Sequence, residues 1–142
     1  MSLRDRTIVV LAHPGYQELE FWYPVLRGRE EGATVTVVAS ATGGCESFLG
    51  YPVLGDAVAA DVDVEHLGAL VVPGTVTGRP TLSDDQLQLI KTAQAANRPV
   101  YAIGSGAELV RELVGAIPES RRAADADGLP DLFRRLHAEL AG

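Results

Sequence analysis

Short apolar segments alternate with helix-like segments along most of the chain. Apolar runs rich in β-branched residues are typical of strands buried on both faces of a sheet. This pattern predicts strands over residues 7–12, 69–72 and 100–103. Residues 34–39 alternate between polar and apolar side chains and predict a further strand, and residues 51–54 predict a short accessory one. The segment between them, residues 42–50, is rich in glycine and is expected to be irregular.

Helix signals separate these strands. A helix is predicted over residues 18–31, closed by Gly32, with Pro24 introducing a kink or a broken first turn. Ser83 and Gln86 have the spacing of a capping box and open a second helix. A third helix is expected to follow the strand at 100–103 and to end near residue 113.

The C-terminal part of the chain carries one more helix signal. Residues 115–128 are polar and predict a loop, and Pro130 stands where a first helical residue is expected. The apolar residues that follow recur at helical spacing and form one face, which comprises Leu132, Phe133, Leu136 and Leu140.

Strands separated by helices predict a parallel sheet covered on both faces, that is, a three-layer α/β/α sandwich formed by a single domain over residues 1–142. Ligands of such sheets bind beyond the carboxyl ends of the strands. That rule selects residues 13–18, 74–77 and 104–106, which follow the first, third and fourth of the long strands.

Composition narrows the function classes. The 142 residues are 46% hydrophobic and 22% charged, which is typical of a folded soluble domain. A net charge of −7 argues against non-specific nucleic-acid binding, and no apolar run is long enough to cross a bilayer. The N-terminus shows no cleavable signal pattern, so a cytoplasmic location is expected. Cys45, as the single cysteine, excludes an internal disulfide, and the three histidines are too scattered to support a metal site. No cofactor is expected.

Three motifs carry a family resemblance. Residues 14–20 followed by Pro24, residues 70–74 and residues 98–107 resemble, in this order, three segments of the ThiJ/PfpI (DJ-1/PfpI) superfamily. They are its first strand-to-helix turn, its oxyanion turn and its nucleophile elbow. The resemblance covers roughly residues 7–114 and implies a flavodoxin-like sandwich. Residues 14–20 and 104–107 are most similar to the isonitrile hydratase and AraC-regulator branch.

The resemblance also shows where this sequence departs from the family. Gly104 stands at the position that matches the nucleophilic cysteine, so thiol chemistry is not expected there. The family acid matches Gln17 in the protease-like branch and Glu20 in the isonitrile hydratase-like branch. Thr75 replaces a second glycine in the oxyanion turn. Further strands usually follow the elbow helix, so the sheet is expected to be shortened at its C-terminal side. The bare edge predicts a homodimer.

Candidate catalytic residues follow from these positions. Glu20, partly buried under the crevice, is expected to act as general acid or base, with an exposed helix-face carboxylate as the alternative. Ser105 is interpreted as a helix N-cap more readily than as a nucleophile. His13 can shuttle protons near neutral pH or can simply pack in the interior. Cys45 is a surface thiol or a relocated nucleophile.

Candidate ligand-binding residues surround the same crevice: Gly74, Thr75, Gly104, Gly106, Tyr16 and Gln17. Tyr16, together with Tyr51 and Phe48, is expected to form the wall of an apolar pocket. Gly104 is either a simple backbone turn or an opening made for a ligand.

Two functions fit this pattern. The first is a cysteine-independent hydratase, lyase or isomerase that acts on a small reactive metabolite. In it Glu20 moves the proton, and the backbone amides around Gly74, Thr75, Ser105 and Gly106 hold developing negative charge. The alternative is a non-catalytic member that binds a small molecule or a protein partner. A conventional cysteine protease, deglycase or glyoxalase is disfavoured by Gly104.

Overall fold

The core of the protein is a six-stranded, fully parallel sheet with the strand order β5-β2-β1-β6-β7-β8. The computed structural model describes residues 2–40 and 43–142. The strands of this sheet are β1 (Thr7–Leu11), β2 (Thr34–Ala39), β5 (Ala57–Val58), β6 (Ala69–Val72), β7 (Val100–Ile103) and β8 (Arg122–Ala123). A separate antiparallel hairpin joins β3 (Gly44–Glu46) and β4 (Pro52–Leu54).

Helices cover both faces of the sheet. They are α1 (Glu18–Glu30), α2 (Asp84–Ala95), α3 (Ser105–Val114) and α4 (Leu129–Ala141). Helices α1 and α4 share one apolar core with one face of the sheet, and α2 and α3 share a second core with the other face. The predicted three-layer α/β/α sandwich is therefore confirmed, including its flavodoxin-like, mostly parallel sheet.

The strand order places a switch point beside β1. From β1 the chain passes to β2 on one side and later to β6 on the other. Loops that leave the carboxyl ends of β1 and β6 therefore run in opposite directions and leave a crevice between them. The long strands that form its floor are buried, as their continuous apolar sequences predict.

The predicted helix signals are mostly confirmed. The capping box of Ser83 and Gln86 is present at the start of α2. Helix α1 begins with an intact first turn and continues through Pro24, so the predicted broken turn is wrong. Pro24 removes only the hydrogen bond to the carbonyl of Glu20, and its buried ring packs toward the sheet. Helix α4 begins at Leu129, one residue before the predicted start at Pro130.

Two predicted loops contain short strands. Within the segment predicted as irregular, of which residue 42 lies outside the described residues, Gly44–Glu46 pairs with the predicted accessory strand. In the predicted loop at 115–128, β8 pairs with Ala102 and Ile103 of β7. The bare edge expected at β7 is therefore partly covered by the chain itself. Along the described residues, no helix has both the length and the apolar character needed to span a membrane.

Candidate active site

The turn between β7 and α3 has an unusual backbone conformation. Gly104 has φ +56° and ψ −127° and forms the N-cap of α3. Residues that carry a side chain rarely adopt this backbone conformation because of the positive φ, whereas glycine adopts it at low energetic cost. A Cβ atom built on Gly104 would lie 3.3 Å from Oε2 and 3.4 Å from Oε1 of Glu20. The turn therefore presents its open side to a carboxyl group.

Glu20 lies in the first turn of α1 and is buried, with 6% of its surface exposed. Gln17 caps this helix, because its side-chain oxygen accepts a hydrogen bond from the Glu20 amide at 2.7 Å. Oε1 of Glu20 accepts a hydrogen bond from the Gly74 amide at 2.8 Å. Burial raises the pKa of the Glu20 carboxyl, the Gly74 hydrogen bond opposes that rise, and the nearby charge of Asp125 adds to it. The alternative of an exposed carboxylate on the helix face is wrong.

Gly74 is the point at which the three parts of the site meet. A Cβ atom on this residue would lie 2.7 Å from Oγ of Ser105, 2.8 Å from Oε1 of Glu20 and 2.8 Å from the carbonyl oxygen of Ile103. Only a residue without a side chain lets α1, the turn after β6 and the start of α3 approach this closely. Gly74 therefore allows the three elements that border the crevice to pack closely together.

Ser105 joins α3 to the turn after β6. Its hydroxyl oxygen accepts a hydrogen bond from the Thr75 amide at 2.9 Å, and its hydroxyl group donates to the Thr75 carbonyl at 3.4 Å. Ser105 is the first helical residue and Gly104 is the N-cap, so the N-cap interpretation of Ser105 is wrong. The hydroxyl of Thr75 donates to the carbonyl of Gly15 at 2.7 Å. The amides of Gly74 and Thr75 thus already have acceptors, contrary to the predicted oxyanion role.

These elements border an open crevice of about 690 Å³. Its polar side chains belong to Gln17, Glu20, Thr75, Ser105, Glu108 and Asp125. Between them lie Val76, Gly78, Gly104, Ala124 and Ala126. The structure therefore brings five of the predicted site residues to one cavity: Gln17, Glu20, Thr75, Gly104 and Ser105.

The other predicted site residues lie behind this crevice. His13 is fully buried, with Nε2 2.9 Å from the Pro73 carbonyl oxygen and Nδ1 3.3 Å from that of Pro14. Burial lowers its pKa, so the neutral ring is favoured. A Cβ on Gly106 would lie 2.9 Å from the Pro73 carbonyl oxygen, so this glycine lets α3 pack on the turn after β6. These contacts favour the packing alternative for His13.

Tyr16 does not form the wall of an apolar pocket, contrary to prediction. Its ring is fully buried against Phe21, with the ring centroids 4.7 Å apart, and its hydroxyl donates to the Tyr51 carbonyl at 3.2 Å. Tyr51 and Phe48 are about half exposed on the hairpin side of the molecule. Cys45 lies in β3, outside the crevice, and burial raises the pKa of its thiol. A raised pKa makes a thiol a poorer nucleophile near neutral pH.

Sequence analysis missed two acidic residues of the crevice. Glu108 lies in the first turn of α3, three residues after Ser105, and helical spacing alone could have placed it beside that residue. Asp125 follows the carboxyl end of β8, the same position that the other crevice loops occupy on their strands. The sequence does not predict its position, because β8 has only two residues, Arg122 and Ala123, and no apolar run.

Sequence comparison now identifies the family. Residues 6–117 match the sequence model of the DJ-1/PfpI family, a segment that contains all three turns of the site. The chain belongs to the DJ-1/PfpI family. The three motifs in residues 14–20, 70–74 and 98–107 had indicated this family, and the match confirms it.

Two relatives of this chain carry the name deglycase. This chain is 26% identical over 125 residues to the deglycase of Pyrococcus abyssi, covering 87% of this chain and 74% of the relative. It is 30% identical over 107 residues to that of Thermococcus kodakarensis, covering 72% and 63%. An uncharacterized protein of Archaeoglobus fulgidus is 33% identical over 104 residues, covering 72% and 62%. The matched region thus spans about three fifths of the Archaeoglobus and Thermococcus proteins.

Solved structures of DJ-1/PfpI-like proteins share the fold. Toxoplasma gondii DJ-1 superposes with a TM-score of 0.75 at 17% identity, over 94% of this chain and 90% of that protein. An AraC family transcriptional regulator from Pseudomonas putida superposes with a TM-score of 0.70 at 19% identity, over 96% and 92%. At these identities the likeness concerns the fold alone.

Proposed function

We propose that this chain is a divergent DJ-1/PfpI-family enzyme that works without a nucleophilic cysteine, with the carboxyl of Glu20 as its general acid and base. In this proposal Gly104 occupies the cysteine position. Three features support that assignment: Gly104 directly follows β7, it has a positive φ, and it caps α3. Glycine carries no nucleophile, so a covalent thiol intermediate at residue 104 is excluded.

One observation carries the proposal. Glu20 is buried, its Oε1 is held by the Gly74 amide, and its Oε2 lies 3.3 Å from the site of a Cβ on Gly104. No group in the described part of the chain donates a hydrogen bond to Oε2. The absence of a side chain on Gly104 leaves room for a water molecule beside this oxygen. A carboxyl with a raised pKa is suited to exchange protons with such a water.

The proposed reaction is the addition of water to a small electrophile. Oε2 of Glu20 takes a proton from the water, whose oxygen forms a bond to the electrophilic carbon. One π bond of the substrate breaks, and its electron pair moves onto the neighbouring carbon, nitrogen or oxygen. The protonated Glu20 then returns the proton to the product, so the net change is addition of one H₂O. The same carboxyl in the reverse direction gives a lyase, and proton transfer without water gives an isomerase.

Donors for the developing negative charge remain at the start of α3. The amides of Ser105 and Gly106 are the first two of this helix and have no acceptor in the described part of the chain. Helix N-termini favour negative charge. The side-chain amide NH₂ of Gln17 also has no acceptor among the described residues, and the oxygen of the same side chain serves as the helix cap. These three donors replace the Gly74 and Thr75 amides of the sequence-based prediction.

The class of electrophile follows from the motif resemblance. Residues 14–20 and 104–107 resemble the isonitrile hydratase branch, so isonitriles and aldehydes are the first candidates. Two relatives are named deglycases. Under this proposal a deglycase reaction here would have to proceed without a thiol at residue 104.

A second candidate function is non-catalytic binding of a small molecule. Two hydrogen bonds favour it: the Gly74 amide donates to Glu20, and the Thr75 amide donates to Ser105. These amides are therefore not available to stabilise negative charge in a transition state. A regulator of the AraC family shares the fold, which gives this alternative a structural parallel.

The expected homodimer remains a proposal, now with a different physical basis. Exposed large apolar side chains concentrate on α1 and the adjoining hairpin, which Glu18 links by accepting a hydrogen bond from the Leu49 amide at 2.7 Å. This α1–hairpin patch comprises Leu19, Leu26, Phe48, Leu49, Tyr51 and Leu54. A second copy would bury it.

Analytical ultracentrifugation tests this proposal. The wild type should sediment as a dimer, and Leu54→Glu should weaken the dimer. Ala60→Glu, an exposed position outside the patch, should leave the dimer unchanged, and a monomeric wild type would refute the proposal.

Turnover of a panel of small aldehydes, isonitriles and amides tests the proposed function. The wild type is compared with Glu20→Ala, Ser105→Ala and Cys45→Ser. The proposal predicts activity that Glu20→Ala abolishes and Cys45→Ser leaves unchanged. Activity that survives Glu20→Ala but not Cys45→Ser would contradict the assignment of Glu20. Saturable binding of panel compounds without any turnover would favour the non-catalytic alternative.

A further inference from the structure

The charge of the crevice has one sign. Three carboxyl groups border it, those of Glu20, Glu108 and Asp125, and among residues 2–40 and 43–142 no lysine, arginine or histidine side chain does. Glu108 and Asp125 are exposed at its rim, whereas Glu20 is buried at its base. The negative charge of Asp125 also raises the pKa of the Glu20 carboxyl, after the larger effect of burial.

The arginine side chains near the crevice do not belong to its lining. Arg79, which follows the Gly78 of the rim, forms an ion pair with Glu112. Arg111 and Arg122 line a neighbouring surface cavity that Glu108 also borders, but neither forms an ion pair with Glu108. The partial positive charge at the N-terminus of α3 also opposes the carboxylates, and it acts within the first turn of the helix. The rim carboxylates therefore lack a partner cation within the described chain.

The arrangement does not suit a metal ion. Within the described residues, no group of three or more His, Cys, Asp or Glu side chains is placed to hold one. The carboxyls are instead distributed around a cavity of about 690 Å³, which is large enough for a small organic molecule. Glu20, at the base of this cavity, is 6% exposed; its Oε1 accepts from the Gly74 amide, and no donor to its Oε2 is found among the described residues.

We infer that the crevice selects small organic cations, so that the substrate of the proposed reaction carries an ammonium or guanidinium group beside its electrophilic carbon. The positive group is placed at the rim by Glu108 and Asp125, and the electrophilic carbon lies deeper, above Gly104. Only the statement that the bound cation is a substrate rests on the proposed function. Selective binding of cations is measurable without turnover.

The test uses three probes of similar size and different charge: n-butylammonium, n-butanol and n-butyrate. Binding is followed at pH 7 by the amide resonances of Gln17, Thr75 and Ser105 in a ¹⁵N-labelled protein. We expect n-butylammonium to bind about 3-fold or more tightly than n-butanol, the effect of one unit charge roughly 6 Å from another in water, and n-butyrate to bind more weakly than either. Glu108→Gln and Asp125→Asn should each reduce the preference, and added salt should weaken it.

A matched control separates the crevice from the overall negative charge. Asp61→Asn changes the net charge by the same amount on an exposed turn after β5, at the opposite edge of the sheet, and should leave the preference unchanged. Equal binding of n-butyrate and n-butylammonium, or a preference that all three variants reduce equally, would overturn the inference. If cation selectivity is found without any turnover, the proposed function fails and the inference about the crevice stands.

Discussion

Oε1 of Glu20 accepts a hydrogen bond from the backbone amide of Gly74 at 2.8 Å, and this contact ties the first turn of α1 to the turn after β6. It fixes the orientation of a buried carboxyl, whose Oε1 and Oε2 lie 3.4 Å and 3.3 Å from the position of a Cβ atom on Gly104. A single hydrogen bond does not offset the cost of burying the charge, so the pKa of Glu20 stays above its ordinary value.

Glu20→Gln should stabilise the protein at neutral pH. The folded-state pKa of Glu20 is raised, so its contribution to the free energy of unfolding is fully present below the ordinary pKa of 4.5 and is lost as pH rises through the folded-state value. Glutamine keeps the acceptor for Gly74 without the charge. Thermal unfolding should therefore give a higher Tm for the variant at pH 7, with a difference that shrinks as the pH falls below 4.5. An unchanged or lower Tm at pH 7 would argue against a buried charge here.

Glu139→Gln should show the opposite pH dependence. Arg121 donates to Glu139, with Nε 3.1 Å from Oε1, and lowers the pKa of this carboxyl. The stabilisation is present above pH 4.5 and is lost as pH falls through the folded-state pKa. Denaturant titrations should show a destabilised variant at pH 7 and one equal to wild type at strongly acidic pH. A loss of the same size at both pH values would mean that the ion pair with Arg121 does not stabilise the fold.

Gly106→Ala should be strongly destabilising. A Cβ atom would clash with the Val72 carbonyl oxygen and lie 2.9 Å from that of Pro73, and both obstacles are backbone atoms that cannot rotate away. We expect a loss of about 2–3 kcal/mol in the free energy of unfolding. Gly115→Ala is the control, because its Cβ meets open space and only the positive φ is strained, at about 1 kcal/mol. Equal losses for the two variants would show that close packing of α3 on β6 is not required.

Gln86→Leu should uncouple α2 from the ends of β1 and β2. The buried side-chain amide donates to the carbonyls of Ala12 at 2.8 Å and Val38 at 3.0 Å, and its oxygen accepts from the Ser83 amide at 3.0 Å. Leucine removes the partners of the Ala12 carbonyl and the Ser83 amide, whereas the Val38 carbonyl still accepts from the Ala12 amide at 2.9 Å. We expect a cost of about 2–3 kcal/mol. Gln88→Leu, exposed on the same helix, should change the stability by about 0.5 kcal/mol or less. A Gln86→Leu variant as stable as wild type would refute this.

The long strands could be predicted from the sequence because burial on both faces demands uninterrupted apolar residues. The runs at 69–72 and 100–103 are strands with the predicted bounds, and the run at 7–12 ends one residue early. Strand β8 could not be predicted, since two residues, one of them Arg122, carry no periodicity. Its position depends on pairing with β7, a contact between distant parts of the chain.

Part of the site could also be predicted from the sequence. Gly104 lies where the loops of a parallel sheet converge, so the rule about strand ends selected it. Glu20 lies just outside the selected segment 13–18 and was indicated by the family resemblance of residues 14–20. The role of Ser105 could not be predicted from its residue type, because its hydroxyl accepts from Thr75, 30 residues away in sequence, rather than capping its own helix. Asp125 could not be predicted as a crevice residue because strand β8, which precedes it, could not be predicted. Both outcomes depend on contacts between residues that are distant in the sequence.

Turnover by wild type and Glu20→Gln, measured side by side against the aldehyde and isonitrile panel, tests the central claim most directly. Glutamine preserves the shape and the Gly74 hydrogen bond but cannot accept a proton. Loss of a general base typically costs about 10²- to 10⁴-fold in rate, and we expect a loss of that size. The wild-type rate should also rise with pH through a pKa above the ordinary carboxyl value. A Glu20→Gln variant that keeps the full wild-type rate would contradict the assignment of proton transfer to Glu20.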